Sequence, residues 1–181
     1  MIRWLLHRAT RRMERTTGYD AGYMHDVIDA STGAGLKLGL LPLLSQHRDT
    51  APAPLWYGAA LASVLEGDCG PCAQLVVNYA LENGVPPRTL RALLARDLDE
   101  AGDEAALGFR FAEAAIAGDP ESEALRRDVE HRYGKRAAIA LAYATAFSRT
   151  YPVLKRALGH GLACQKIEVG GNLETVIKRA A

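Results

Sequence analysis

Apolar residues recur three and four positions apart along almost the whole chain, the spacing of helix faces rather than strands. Ile2, Leu5, Leu6, Ala9 and Met13 mark one face of residues 2–16, with Arg3, Arg8, Arg11, Arg12 and Arg15 largely on the others. That pattern predicts an amphipathic helix. In "TTGYDAGYMHDVIDAST", Asp20 stands as an N-cap before Tyr23, Met24, Val27 and Ile28, which predicts a short second helix. "GAGLKLGLLPLLSQH" reads as a third, bent or ended around Pro42. "APAPLWYGAALASVLEG" opens with prolines suited to a helix start and then stays apolar for nearly three turns. A cysteine-bearing helix follows from about residue 69, with Gly84 as its C-cap, and then a short helix in "PPRTLRALLARD". The acidic "DLDEAGDE" (97–104) lacks apolar periodicity and reads as a loop. Three further helices are expected in "EAALGFRFAEAAIAG", "PESEALRRDVEHRYG" and "KRAAIALAYATAFSRTYPVLKRALGHG". Strand character is confined to "KIEVGGNLETVI" in an otherwise irregular tail, 162–181. The expected fold class is all-α.

Composition narrows the function. With 181 residues, 49% hydrophobic and 24% charged, the chain fits one globular domain. A net charge of +1 gives no broad attraction to nucleic acid, and none is expected as a partner. The longest apolar runs, 38–44 and 137–147, fall short of the ~20 residues that span a bilayer. The N-terminus lacks a leader's apolar stretch and cleavage site, so a cytoplasmic location is expected. The basic first helix can be read as an arm for anionic lipid or nucleic acid, or as a helix docked on the body or on a neighbouring subunit. The second reading is adopted.

Three cysteines do not make a secreted disulfide framework, and Cys69-Gly70-Pro71-Cys72 in a reducing cytosol points to redox or metal chemistry. No strand pattern precedes Cys69, so the βαβ setting of a thioredoxin is missing. With Asp68 as cap, Cys69 is the first helical residue and Cys72 lies on the same face three residues on, where the two sulfurs can join. The free N–H groups of that first turn favour a thiolate, below the usual ~8.5, while Glu66 and Asp68 oppose it. Two alternatives stand beside the redox reading: a pair of small buried residues without chemistry, and a zinc site completed by His160 and Cys164. The redox reading is preferred, with no metal and no cofactor. Asp20, Asp26 and Asp29 near His25 could hold a cation or a proton, but caps and surface carboxylates explain them more simply. Gln74 and Asn78, four apart, offer hydrogen bonds to the dithiol or a solvated helix face.

The order of these elements resembles the carboxymuconolactone decarboxylase and alkylhydroperoxidase-D-like superfamily. The resemblance runs over roughly residues 52–150: "ALASVLEGDCGPC", then "AQLVVNYALENGVPPRTLRALLARD", the acidic segment and "EAALGFRFAEAAIAGD". It implies an all-α bundle of that type over 52–150, usually assembled as trimers or hexamers; around it the chain has an N-terminal helical extension (1–50) and a C-terminal tail (151–181), and a homo-oligomer (dimer, trimer or hexamer) is expected. It also implies that Cys72 attacks a hydroperoxide and Cys69 resolves the sulfenic acid into a disulfide. The family's peroxidases carry a glutamate twelve residues before the first cysteine and a histidine four after the second, where this chain has Tyr57 and Val76. Some also carry a histidine at the position of Pro71. Tyr57 can donate a hydrogen bond but is a poor base at neutral pH, and Val76 can do neither. The departure also weakens the decarboxylase branch, since no histidine lies beside the expected site; His25 and His160 could approach it in space. Two functions are therefore expected to compete. One is a dithiol oxidoreductase or modified peroxidase using Cys69, Cys72 and Tyr57 on a small oxidant or a disulfide partner. The other is a non-enzymatic oligomer whose dithiol is a redox sensor or remnant.

Overall fold

The computed structural model describes residues 1–161 and 166–176. Helix α1 (Ile2–Thr17) stops at Gly18, whose left-handed backbone lets its N–H reach Glu14 O. Ser31 ends α2 (Gly22–Ala30) and caps α3 (Thr32–Leu40) by accepting from Ala34 N. Pro42 lacks an N–H to continue α3, and instead begins the single turn α4 (Pro42–Ser45). The body follows as α5 (Ala53–Glu66), α6 (Gly70–Glu82), α7 (Pro87–Ala95), α8 (Leu98–Ala101), α9 (Asp103–Ala117), α10 (Glu121–Tyr133), α11 (Lys135–Ser148) and α12 (Thr150–Ala157). An antiparallel hairpin closes the described chain, β1 (Lys166–Val169) on β2 (Asn172–Thr175). The fold is all-α with this one small sheet among the described residues.

Several local expectations are corrected. Residues 97–104 are not a loop: Asp97 caps α8 by accepting from Glu100 N at 3.1 Å, and Asp103 and Glu104 open α9. Acidic side chains favour the positive end of a helix, so the charge that suggested a loop marks two helix starts. Asp20 accepts from Gly22 N at 2.9 Å, yet Ala21 holds the N-cap position of α2. Helix α6 ends at Asn83, with Gly84 one residue beyond at positive φ. The stretch from 135 breaks at Arg149, dividing α11 from α12. The strand character of "KIEVGGNLETVI", by contrast, is met by the hairpin, because Gly170 and Gly171 both adopt the positive φ that a two-residue hairpin turn requires.

Helix α5 is buried on nearly every face, as its unbroken apolar run demands, and packs most extensively on α9, then on α11. The α5–α9 crossing depends on Gly58 and Gly108. A side chain on Gly108 would collide with the Leu55 carbonyl, and one on Gly58 with that of Ala105. Ser63 fastens α11 by donating to Thr145 O at 2.7 Å. The hairpin seats Ile167 and Val169 in the core.

The four N-terminal helices form a roof over the α5–α6 side of the body. Tyr19, Ala21 and Tyr23 make a small buried cluster with Met13, Met24 and Leu38, and it rests on Leu75 of α6 and Leu154 of α12. Helix α1 is tied to α2 by Arg3–Asp29 and by His7, whose Nδ1 lies 2.7 Å from His25 Nδ1. Among the described residues, no helix is long and apolar enough to cross a membrane.

Candidate functional site

The turn between α5 and α6 is held from outside by α12. Pro152 packs so closely on Gly67 that a β-carbon there would overlap its ring, and Arg156 donates to the Gly67 carbonyl. Glu66 pairs with Arg149 at 2.9 Å, which offsets one of the two carboxylates expected to oppose a thiolate. Asp68 takes a positive φ of 50° and so turns the chain into the helix. The consequence differs from the sequence expectation. Cys69, not Asp68, is the N-cap of α6, and its sulfur accepts from Cys72 N–H at 3.3 Å. The helix start therefore places an N–H directly on the Cys69 sulfur, the arrangement that stabilises a thiolate there when the pair is reduced. Cys69 and Cys72 are joined as a disulfide, with their Cα atoms 5.3 Å apart.

Both sulfurs lie beneath the surface, Cys69 being 2% and Cys72 5% exposed. They face different surroundings. Cys72 lines a cavity of about 610 Å³ between the roof and the body, whereas Cys69 is not on its wall. The wall is mostly apolar: Leu6 and Met13 from α1, Met24 and Ile28 from α2, Leu75 and Val76 from α6. Tyr57 and Val76, the two positions singled out by spacing from the cysteines, stand on this same wall. Burial raises the Tyr57 phenol above its ordinary value, with Arg48 opposing, so it remains a hydrogen-bond donor and not a base. Among the described residues lining the cavity there is no histidine, aspartate or glutamate.

The phenol directed at Cys72 is instead that of Tyr19, from the link between α1 and α2. Its hydroxyl oxygen is 3.7 Å from Cys72 Sγ. Burial pushes the Tyr19 hydroxyl up to about 12 and keeps it protonated. Lys155 of α12, only 3% exposed, holds its ammonium 4.9 Å from the Tyr19 ring centre and 5.2 Å from that of Tyr23. Such a cation over two ring faces gains from their electron density, while burial pulls its pKa below the usual lysine value. Tyr23 neighbours Tyr19 closely enough for each to affect the other's proton, but its hydroxyl has no well-aligned hydrogen bond among the described residues.

The remaining candidates have other partners. His160 Nε2 pairs with Asp26 at 3.0 Å, and Cys164 lies outside the described residues; no three His, Cys, Asp or Glu side chains converge as a metal set among those described. His25 stacks on His7 and reaches Glu14 at 3.3 Å, while Asp29 takes Arg3 and His7. Gln74 does not face the dithiol. Its amide pairs with the backbone of Glu168, donating to O at 2.9 Å and accepting from N at 2.8 Å, and it also donates to Asn78.

Tyr19 and Lys155 are absent from the sequence reading. A tyrosine 53 residues from its sulfur leaves no local trace. Lys155 did leave one, since Tyr151, Leu154 and Leu158 share its stripe at positions i, i+3, i+4 and i+7, where an apolar residue is expected. Comparison with protein-family models, curated proteins and solved structures returned no match.

Proposed function

We propose that the chain is a dithiol oxidoreductase that reduces organic hydroperoxides, as its resemblance to the alkylhydroperoxidase-D-like superfamily implies. One observation carries the reading: a Cys69–Cys72 pair at bonding distance, of which only Cys72 faces an apolar cavity large enough for a small organic molecule. In the reduced protein the Cys72 thiolate attacks the terminal peroxide oxygen. The O–O bond breaks, the alkoxide takes a proton and leaves as the alcohol, and Cys72 becomes a sulfenic acid. The Cys69 sulfur then attacks Cys72, the S–O bond breaks, water leaves and the disulfide forms. An external dithiol, supplied in the cytoplasm, returns two electrons by exchange. Apolar walls favour an alkyl hydroperoxide over hydrogen peroxide. Self-association fits the exposed apolar side chains of α1, α3 and α4, including Ile2, Trp4, Leu40 and Leu43.

The test is oxidation of the reduced protein by cumene hydroperoxide, followed as loss of free thiols. The expected result is disulfide formation far faster than oxidation of free cysteine, with Cys72→Ser unreactive and Cys69→Ser halted at a sulfenic acid that dimedone traps. Rates no faster than free cysteine would exclude a peroxidase. A pair that is then still opened by mild dithiols would be a redox sensor in a helical oligomer.

A further inference from the structure

Thiol peroxidase chemistry requires a proton for the departing oxygen, and the cavity offers no acidic or histidine side chain among the described residues that line it. It does offer phenols, those of Tyr19, Tyr57, Tyr79 and Tyr151, and the Tyr19 hydroxyl is the one placed at Cys72 Sγ. We infer that Tyr19 is the proton donor of the site: its hydroxyl hydrogen-bonds the Cys72 thiolate once the disulfide is open, then protonates the alkoxide released from the peroxide. This rests on the peroxidase reading for the second role alone; the thiolate contact is independent of it.

The geometry supports both roles. Tyr19 reaches Cys72 from the cavity side, 3.7 Å from Sγ, and lines the cavity with it. A disulfide sulfur is a weak acceptor and a thiolate a strong one, so the contact tightens when the pair is reduced. A peroxide seated against Cys72 also meets the Tyr19 hydroxyl. As the thiolate electron pair forms the S–O bond, the O–O bond breaks toward the distal oxygen, and the Tyr19 proton moves to that oxygen. The phenolate so formed lies under the Lys155 ammonium, which stabilises it until it regains the proton that Cys72 released on ionising. Lys155 is thus a positioning and electrostatic residue, and it does not line the cavity itself. The other titratable and charged groups around this centre are Tyr23 from α2 with His160 against it, Asp20 beside Tyr19, Tyr151 from α12, Arg48, Tyr57 and Tyr79 on the cavity wall, and Glu66 and Asp68 ahead of the cysteines.

Tyr19→Phe removes only the hydroxyl, and Tyr79→Phe removes another hydroxyl from the same cavity wall, outside the Tyr19–Tyr23–Lys155 cluster. The ionisation of Cys72 is read on the reduced proteins by pH-dependent iodoacetamide labelling resolved by mass spectrometry. Oxidation by cumene hydroperoxide is followed in parallel. A hydrogen bond to a charged sulfur predicts that Tyr19→Phe raises the Cys72 pKa by about one unit and slows oxidation about tenfold or more, with Tyr79→Phe near the parent on both. An unchanged Cys72 pKa in Tyr19→Phe overturns the inference, even where the parent reacts rapidly with peroxide and the peroxidase reading stands. Equal shifts in the two variants overturn it as well, because they mark a general effect on packing. A parent inert to peroxide removes the peroxidase reading and the alkoxide step with it, while a shift confined to Tyr19→Phe still upholds the contact with the thiolate.

Discussion

Lys155 shows what a single charge costs when it is placed among rings. Desolvation lowers its pKa in the fold, so between that lowered value and the ordinary ~10.5 the unfolded chain binds more protons than the folded one. Stability therefore rises with pH across this window, and below it the full penalty of burying the ammonium is present. Lys155→Met, similar in length and uncharged, removes the penalty. The expected outcome in urea unfolding is that the variant exceeds the parent at pH 7, and that the gap narrows as pH approaches 10. Tyr19 and Tyr23 titrate in both proteins, so the difference between the two curves isolates the lysine. A gap that does not vary with pH would mean that the ammonium keeps its ordinary affinity for protons.

At the scale of elements, side chains that substitute for backbone explain both the fold and the limits of reading it. Gln74 behaves as one more rung beside β1, exchanging two hydrogen bonds with Glu168 as a neighbouring strand would. Gln74→Ala should lower stability by about 1–2 kcal/mol and speed hydrogen exchange at the Glu168 amide, with α6 itself unaffected. The helices were legible because their faces repeat every 3.6 residues, and the dithiol because its spacing is local. The acidic segment at 97–104 was misread because a cap and a loop draw on the same residues, and only the backbone beyond Asp97 distinguishes them. Gln74 and Tyr19 were illegible in their roles for a different reason. Each acts across 53 or more residues of intervening chain, on a partner that folding alone brings near.

For the whole molecule, the informative arrangement is a roof made of the chain's own first four helices, laid over a sulfur that is 5% exposed. A peroxide needs only a passage the width of a small molecule to reach Cys72. A protein that re-reduces the disulfide by attacking Cys72 must bring its own sulfur into that cavity, and that requires the roof to lift. On the proposed peroxidase function, oxidation and recovery then run on separate clocks: the first follows the concentration of oxidant, the second the rate of a structural opening. With a thioredoxin-sized reductant in excess, the recovery rate should level off at that opening rate, while with dithiothreitol it should keep climbing. The Arg3–Asp29 and His7–His25 ties between α1 and α2 hold the roof together, so His7→Ala should lift the plateau. Under a brief pulse of oxidant such a protein would stay oxidised long after the pulse had passed, and would keep a timed record of it.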